Sequence, residues 1–287
     1  MKKTIIICAI SFFSTVFADF PYRNSLEFST SLYRYSYSEE FGDETGHIGF
    51  PRSDEYGPTV GIETEYKFFE PQSKFTFGLN FNFSRSIKHT YDGSLQGEIL
   101  YIGDEPFLLY YQPIIQSTEN YFLGSDIKFG YVAAISRRII FEPNIKAAFD
   151  YWRRPVSPIV EDYLWLRILS GVTLTTKSKD NLGVVSDLYF SVPVWQKMYL
   201  KYGDANVSVK YKFDIGAKVG WKFNFGFARY YADNLTFKIV YSYEYYGFKA
   251  SPPISISTED GVRNYYEPSS STHNSGVKIS LEKGFWK

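Results

Sequence analysis

The 287-residue chain has one cysteine, two methionines and three histidines, and its 31 basic residues are matched by 31 acidic ones. One cysteine cannot build a disulfide framework or a thiolate-held metal site, so the fold must rest on hydrogen bonds and packing. Balanced charge supplies no basic footprint for nucleic acid or for an anionic membrane surface. After residue 18 no apolar run approaches the ~18–20 residues that a membrane-crossing helix needs. The cysteine itself, Cys8, lies in a short apolar run from Ile5 to Phe17.

That run follows Met1-Lys2-Lys3 and ends in Val16-Phe17-Ala18 before Asp19. A basic start, a brief apolar stretch and small residues before a cut have the layout of a secretory signal peptide, expected to be removed after Ala18. A membrane anchor is the alternative, but the stretch is too short to span a bilayer as a helix. The expected division is therefore a signal peptide at 1–18 and one domain at 19–287, which keeps no cysteine.

Aromatic residues are abundant, with 26 Tyr, 26 Phe and 5 Trp, yet mean hydropathy is −0.24. A helical membrane protein would be far more apolar. Polar average and heavy aromatic use together suit a transmembrane β-barrel, whose strands alternate between lipid and lumen and carry aromatic girdles. A secreted soluble sandwich is the other all-β reading.

Alternation decides between them. Val60, Ile62, Thr64, Tyr66 and Phe68 occupy every second position, as do Phe75, Phe77, Leu79, Phe81 and Phe83 after the short break 70–74. The same period runs through 121–131, 139–151, 164–174, 182–194, 207–227, 235–245 and 277–285, with a less regular first strand at 26–37. The period is that of strands with one apolar face. These segments predict an antiparallel barrel of ten strands, with twelve as the alternative if 95–112 adds a pair; 207–227 reads as one unbroken strand. Short connections near 70–74, 135–138, 176–181 and 231–234 alternate with long ones near 38–57, 85–119, 152–162, 195–206 and 247–274. Periplasmic turns and extracellular loops of a barrel alternate in this way.

The last segment, Gly276-Val277-Lys278-Ile279-Ser280-Leu281-Glu282-Lys283-Gly284-Phe285-Trp286-Lys287, resembles the closing strand of bacterial outer-membrane β-barrels. The resemblance implies the outer membrane as location and Phe285 and Trp286 as the signal read by the barrel-insertion machinery, although here Lys287 follows them.

With apolar residues facing lipid, the opposite face of the strands lines the lumen. It includes Glu63, Glu65, Lys67, Asp126, Lys128, Glu142, Lys146, Arg167, Asp187, Lys210, Lys212 and Asp214, and in all ten acidic and ten basic positions fall there. A lipid-facing Lys or Arg near the midplane costs roughly 2–4 kcal/mol, which explains the sorting without any function. Ten strands lie near the size that side chains can fill. Trp152, Arg153 and Arg154 are expected at the membrane edge, in contact with lipid and lipopolysaccharide phosphates.

Catalytic signals are sparse. His47, His89 and His273 fall in expected loops, without metal-ligand spacing and without a paired His or Cys. Ten strands with long outer parts are similar to the omptin outer-membrane proteases, but the Asp-x-His pair of that family is absent, so its activity is not carried over. The Ser, His and Asn arrangement of outer-membrane phospholipases is not recognised either. The reading is a non-enzymatic outer-membrane barrel acting as a narrow porin-like channel or a surface-binding protein for an unknown extracellular ligand, with no cofactor, metal or nucleic acid. An outer-membrane barrel enzyme, protease-like or lipase-like, is the alternative.

Overall fold

Every one of the alternating segments except 207–227 falls within a single strand. The computed structural model describes residues 24–40, 53–102, 105–136, 138–156, 159–202, 209–258, 261–265 and 267–285. The expected signal peptide, His47, Trp286 and the Lys210 side chain lie outside what it describes. Ten strands form the barrel: β1 Asn24–Glu40, β2 Ser53–Glu70, β3 Phe75–Ser86, β4 Tyr121–Tyr131, β5 Ile139–Val156, β6 Ile159–Thr176, β7 Leu182–Tyr202, β8 Gly220–Tyr230, β9 Leu235–Lys249 and β10 Ser269–Phe285. Each pairs antiparallel with its sequence neighbours, and the ring closes where β1 meets β10, from Asn24 opposite Phe285 to Glu40 opposite Ser269. Closure leaves no unpaired edge in the ring, the condition for a sheet to stand in hydrocarbon.

One end of the barrel carries only tight turns. They use left-handed backbone at Lys74, Asn181, Asp233 and Asn234, conformations that Asn and Asp tolerate best. The other end carries the long connections, and the described parts of two of these are largely strand. A hairpin of His89–Ile102 and Glu105–Thr118 rises between β3 and β4, and a smaller one of Ile254–Thr258 and Gly261–Tyr265 between β9 and β10. Among the described residues the larger hairpin joins the ring's hydrogen-bond ladder only where 90–92 pair with 54–56 of β2, so it adds no strand to the barrel and the count stays at ten.

Side chains such as Phe28, Ile62, Phe81 and Phe227 are 59–64% exposed on the outer wall, part of a band of exposed aliphatic and aromatic residues. The band stops near Leu32, Val60, Phe83, Leu123, Phe149, Leu166, Val194, Val219, Tyr241 and Val277. Beyond it charged residues join the outer wall, with Arg34, Arg153, Lys212 and Asp214 exposed beside scattered apolar side chains such as Tyr56, Ile87 and Ile115. At ~3.3 Å per residue and a tilt of about 45°, strands of 17 to 21 residues such as β1 and β7 rise roughly 40–50 Å. An apolar band is about 25 Å tall, so the barrel walls project well past it at the hairpin end.

The stretch 207–227 departs from the expected single strand. Val209–Phe213 pairs with β7, Gly216–Ala217 with β9, and only from Gly220 does the chain pair with both neighbours. Across the gaps the chain turns over: Phe213 and Ile215 are buried inside, whereas Val219, Trp221, Phe225 and Phe227 face outward. Beside lipid the apolar face must point out, and beyond lipid it must point in, so one unbroken two-residue period serves two opposite faces.

Candidate functional site

Within the membrane-spanning part the lumen is filled by ion pairs between neighbouring and facing strands. Lys128 reaches Glu142 at 3.0 Å, Lys146 reaches Asp126 at 3.6 Å, Lys278 reaches Glu63 at 3.3 Å, and Lys67 lies 3.7 Å from Glu65. Arg167 binds Asp150 and Glu244, both at 2.8 Å, while Asp187 accepts hydrogen bonds from Thr173 and Asn224. Towards the turn end Lys238 bridges Glu27 and Glu282 at 2.6 Å each. Pairs of this kind offset desolvation but seldom exceed it, so they account for solubility of charge inside a narrow wall rather than for stability. Between these networks lies a cavity of about 140 Å³ lined by groups such as Glu63, Asn80, Asp126, Lys146, Arg167 and Lys222. Two of the expected lumen residues are elsewhere. Lys212 and Asp214 face solvent, because the chain has turned over between Ile215 and Val219, and Asp214 pairs with Lys197 at 2.8 Å outside the wall.

Above the charged section the inward positions become aromatic. Phe122, Trp152, Tyr163 and Phe248, from β4, β5, β6 and β9, stack in succession with ring centroids 5.8, 4.5 and 5.7 Å apart. Tyr35 and Tyr37 from β1 pack edge-on against Trp152, and Trp165, Met198, Phe213, Ile215 and Tyr246 complete the cluster. This layer crosses the lumen. The expectation that Trp152 and Arg154 meet lipid is corrected here: even-numbered residues of β5 point inward, so both are buried, and only Arg153 of the three stands exposed on the outer wall.

Arg154 forms the centre of a second, asymmetric cluster on top of the aromatic layer. Its Nε donates to Glu55 at 2.7 Å, and its Nη1 donates to Glu39 at 2.6 Å and Glu161 at 2.8 Å. The guanidinium lies 4.5 Å from the Tyr37 ring, a desolvated cation–π contact. Three carboxylates share this one cation, and a fourth, Glu267, is bound through Tyr163. Burial pushes the Glu55 carboxyl up, but Arg154 and hydrogen bonds from His89 and Thr118 outweigh it and hold it at about 2.

His89 is also corrected, from solvated loop residue to fully buried strand residue. Its Nε2 lies 2.9 Å from Thr59 Oγ1, its Nδ1 is 3.0 Å from Asn120 Nδ2 and 3.5 Å from Glu55 Oε1, and its ring stacks on Tyr35. Hydroxyl, imidazole and carboxylate in this order resemble a nucleophile relay. Thr59, His89 and Glu55 are all buried, however, and no substrate carbonyl reaches the hydroxyl in this arrangement. The contacts instead fasten the first residue of the long hairpin to the barrel wall. His273, the other described histidine, also lies on a strand, where Tyr243 Oη binds its Nδ1 at 2.6 Å.

Sequence reasoning missed Glu39, Glu55, Glu161, Glu267 and Tyr163. The inward parity of β5, running through Glu142, Lys146 and Asp150 to Trp152 and Arg154, was the signal that could have placed Arg154; the carboxylates around it come from strand ends that read as loops.

No protein-family profile matches the chain, and no curated protein sequence does. Among solved structures, the outer-membrane protease OmpT from Escherichia coli matches with a TM-score of 0.65 at 9% identity, over 95% of this chain and 100% of that one. The Pseudomonas putida toluene transporter TodX matches at 0.36 and 11% identity, over 93% of this chain and 90% of that one. Neisserial surface protein A matches at 0.35 and 6% identity, over 91% and 97%. The chain has the fold of the bacterial outer-membrane β-barrels.

Proposed function

We propose that this chain is an outer-membrane barrel that does not conduct and works through its projecting hairpin end as a binding surface. The observation that carries this reading is the buried layer of Tyr37, Trp152, Tyr163, Met198 and Phe248, each 0–1% exposed, stacked across the lumen beneath the Arg154 cluster. A porin-like channel needs a continuous aqueous path, and such a layer blocks one with closely packed rings. On this reading the hairpin end is extracellular and meets an extracellular ligand. Arg153 and Arg85, on the outer wall just past the apolar band, meet lipopolysaccharide phosphates, and the β10 end with Phe285 is read by the insertion machinery.

The test is single-channel recording in planar bilayers, on the whole barrel and on a variant with residues 94–114 replaced by a short turn. Both should give no sustained conductance steps, because the block is built from the staves and not from the hairpin. Steady conductance in the whole barrel overturns the reading. Conductance only in the shortened variant would make the hairpin a plug.

A further inference from the structure

Tyr163 Oη lies 3.1 Å from Glu161 Oε2 and 2.5 Å from Glu267 Oε1. A phenol has one proton to donate, and an ionised carboxylate has none. Both contacts are hydrogen bonds only if one of the two carboxyls is protonated. Arg154 Nη1 donates to the same Glu161 oxygen, at 2.8 Å, which keeps Glu161 an acceptor. Tyr163 therefore donates to Glu161, and Glu267 donates to Tyr163. We propose that Glu267 is a proton-held latch: protonated, it fixes the base of the 254–265 hairpin on the aromatic layer, and losing the proton releases that hairpin.

The mechanical link is short. Glu267 N donates to Ser251 Oγ and Glu267 O accepts from Ser251 N, both at 2.9 Å, so the residue closes the two ends of the connection between β9 and β10. The titratable groups that face it are Tyr163 and Glu161 from β6, Tyr37 and Glu39 from β1, and Arg154 from β5. Glu55 and His89 sit on the far side of Arg154, 3.5 Å from each other. Glu39, Glu55 and Glu161 occupy Nε and Nη1 of the one guanidinium, and no carboxylate of the described residues reaches its Nη2, so in this arrangement an ionised Glu267 would be buried beside carboxylates without an ion pair of its own. Burial first, and then Glu161 and Glu39, push the Glu267 carboxyl well above its ordinary range.

The sign follows. A carboxyl raised in the closed state binds a proton there that it gives up when open, so closure is favoured at low pH. That contribution is complete below the ordinary carboxylate range near pH 4.5 and declines as pH rises through the raised value. Between the ordinary and the raised value each pH unit raises the open-to-closed ratio about tenfold, and above the raised value the ratio levels off.

Amide exchange by mass spectrometry over residues 250–268, in nanodiscs from pH 5 to pH 10, tests this. Wild type is compared at each pH with Glu267→Gln, which cannot ionise and can still donate from its amide; the ratio cancels the intrinsic pH dependence of exchange. The expected ratio is near one at pH 5 and climbs tenfold or more by pH 10, while peptides from β10 stay unchanged. Tyr163→Phe keeps the ring stack but removes the hydroxyl, and should exchange faster than wild type already at pH 5. A wild-type-to-Gln ratio that stays flat across the range overturns the latch. If Glu267→Gln fails to assemble, a Tyr163→Phe segment as protected as wild type at pH 5 overturns it as well.

Discussion

Arg153 faces solvent on the outer wall, while Arg154, one position further, is 1% exposed and held by three carboxylates. Replacing Arg154 with Met keeps the length of the side chain and removes the charge, leaving Glu39, Glu55 and Glu161 buried without a cation. Breaking a buried pair from one side costs about 3–5 kcal/mol, so Arg154→Met should lower the temperature at which the folded barrel is lost, whereas Arg153→Met should leave it nearly unchanged. Heating the two variants beside wild type and reading the folded fraction on a gel measures the difference; equal shifts would mean that the cluster is hydrated. Alternation along β5 carries enough information to tell the two arginines apart, because the lumen parity of Lys146 and Asp150 continues into Trp152 and Arg154. What no local pattern carries is the convergence of Glu39, Glu55 and Glu161. They come from three strands, and β1 and β2 are joined by a connection whose composition gives no register. The membrane-part charges were legible for the opposite reason: lipid on one side leaves charge a single place to go.

At the scale of elements, strand existence was written plainly in the two-residue period, but which face points inward was written only where lipid decides it. Phe213 and Phe225 belong to one series of odd positions, yet the first is buried in the lumen and the second exposed on the wall. Gly220, where the chain rejoins the ring, lies so close to β9 that a Cβ there would stand 2.5 Å from Tyr245 O. The histidine that opens the long hairpin shows the same gap between pattern and placement. The long, aromatic connection 85–119 hides a residue that binds Thr59 and Asn120 and stacks on Tyr35. Removing that anchor in His89→Ala leaves Thr59 and Asn120 short of a partner and opens a void beside Tyr35. Leaving buried polar groups unpaired costs about 1–3 kcal/mol. Amides of residues 89–93 and 115–118 should then exchange at least several-fold faster, while those of β7 keep their protection. Unchanged exchange at the hairpin base would show that the backbone pairing with 54–56 suffices to hold it.

For the whole molecule the decisive feature is closure, because a ring of strands can only unfold by opening somewhere. Unboiled in detergent, the protein should migrate as a compact band and shift after boiling, the behaviour expected when no edge offers a starting point for unfolding. The junction of β1 and β10 is where the two ends of the chain meet, and it has seventeen residue pairs and a point of very close approach. At Gly276 a Cβ would stand 2.1 Å from Leu32 O and 2.6 Å from Tyr33 Cα, so any side chain there wedges the two strands apart. At Gly78, inside the sheet, the nearest atom to such a Cβ is 3.4 Å away, which is ordinary contact. Overpacking costs about 1–3 kcal/mol where the surroundings are backbone and cannot yield. Gly276→Ala should therefore lower the temperature at which the compact band disappears, and Gly78→Ala should leave it near that of wild type, although both add the same methyl group to the same barrel. Equal stability of the two variants would show that closure at this junction does not limit unfolding, and that the ring opens first at another pair of strands.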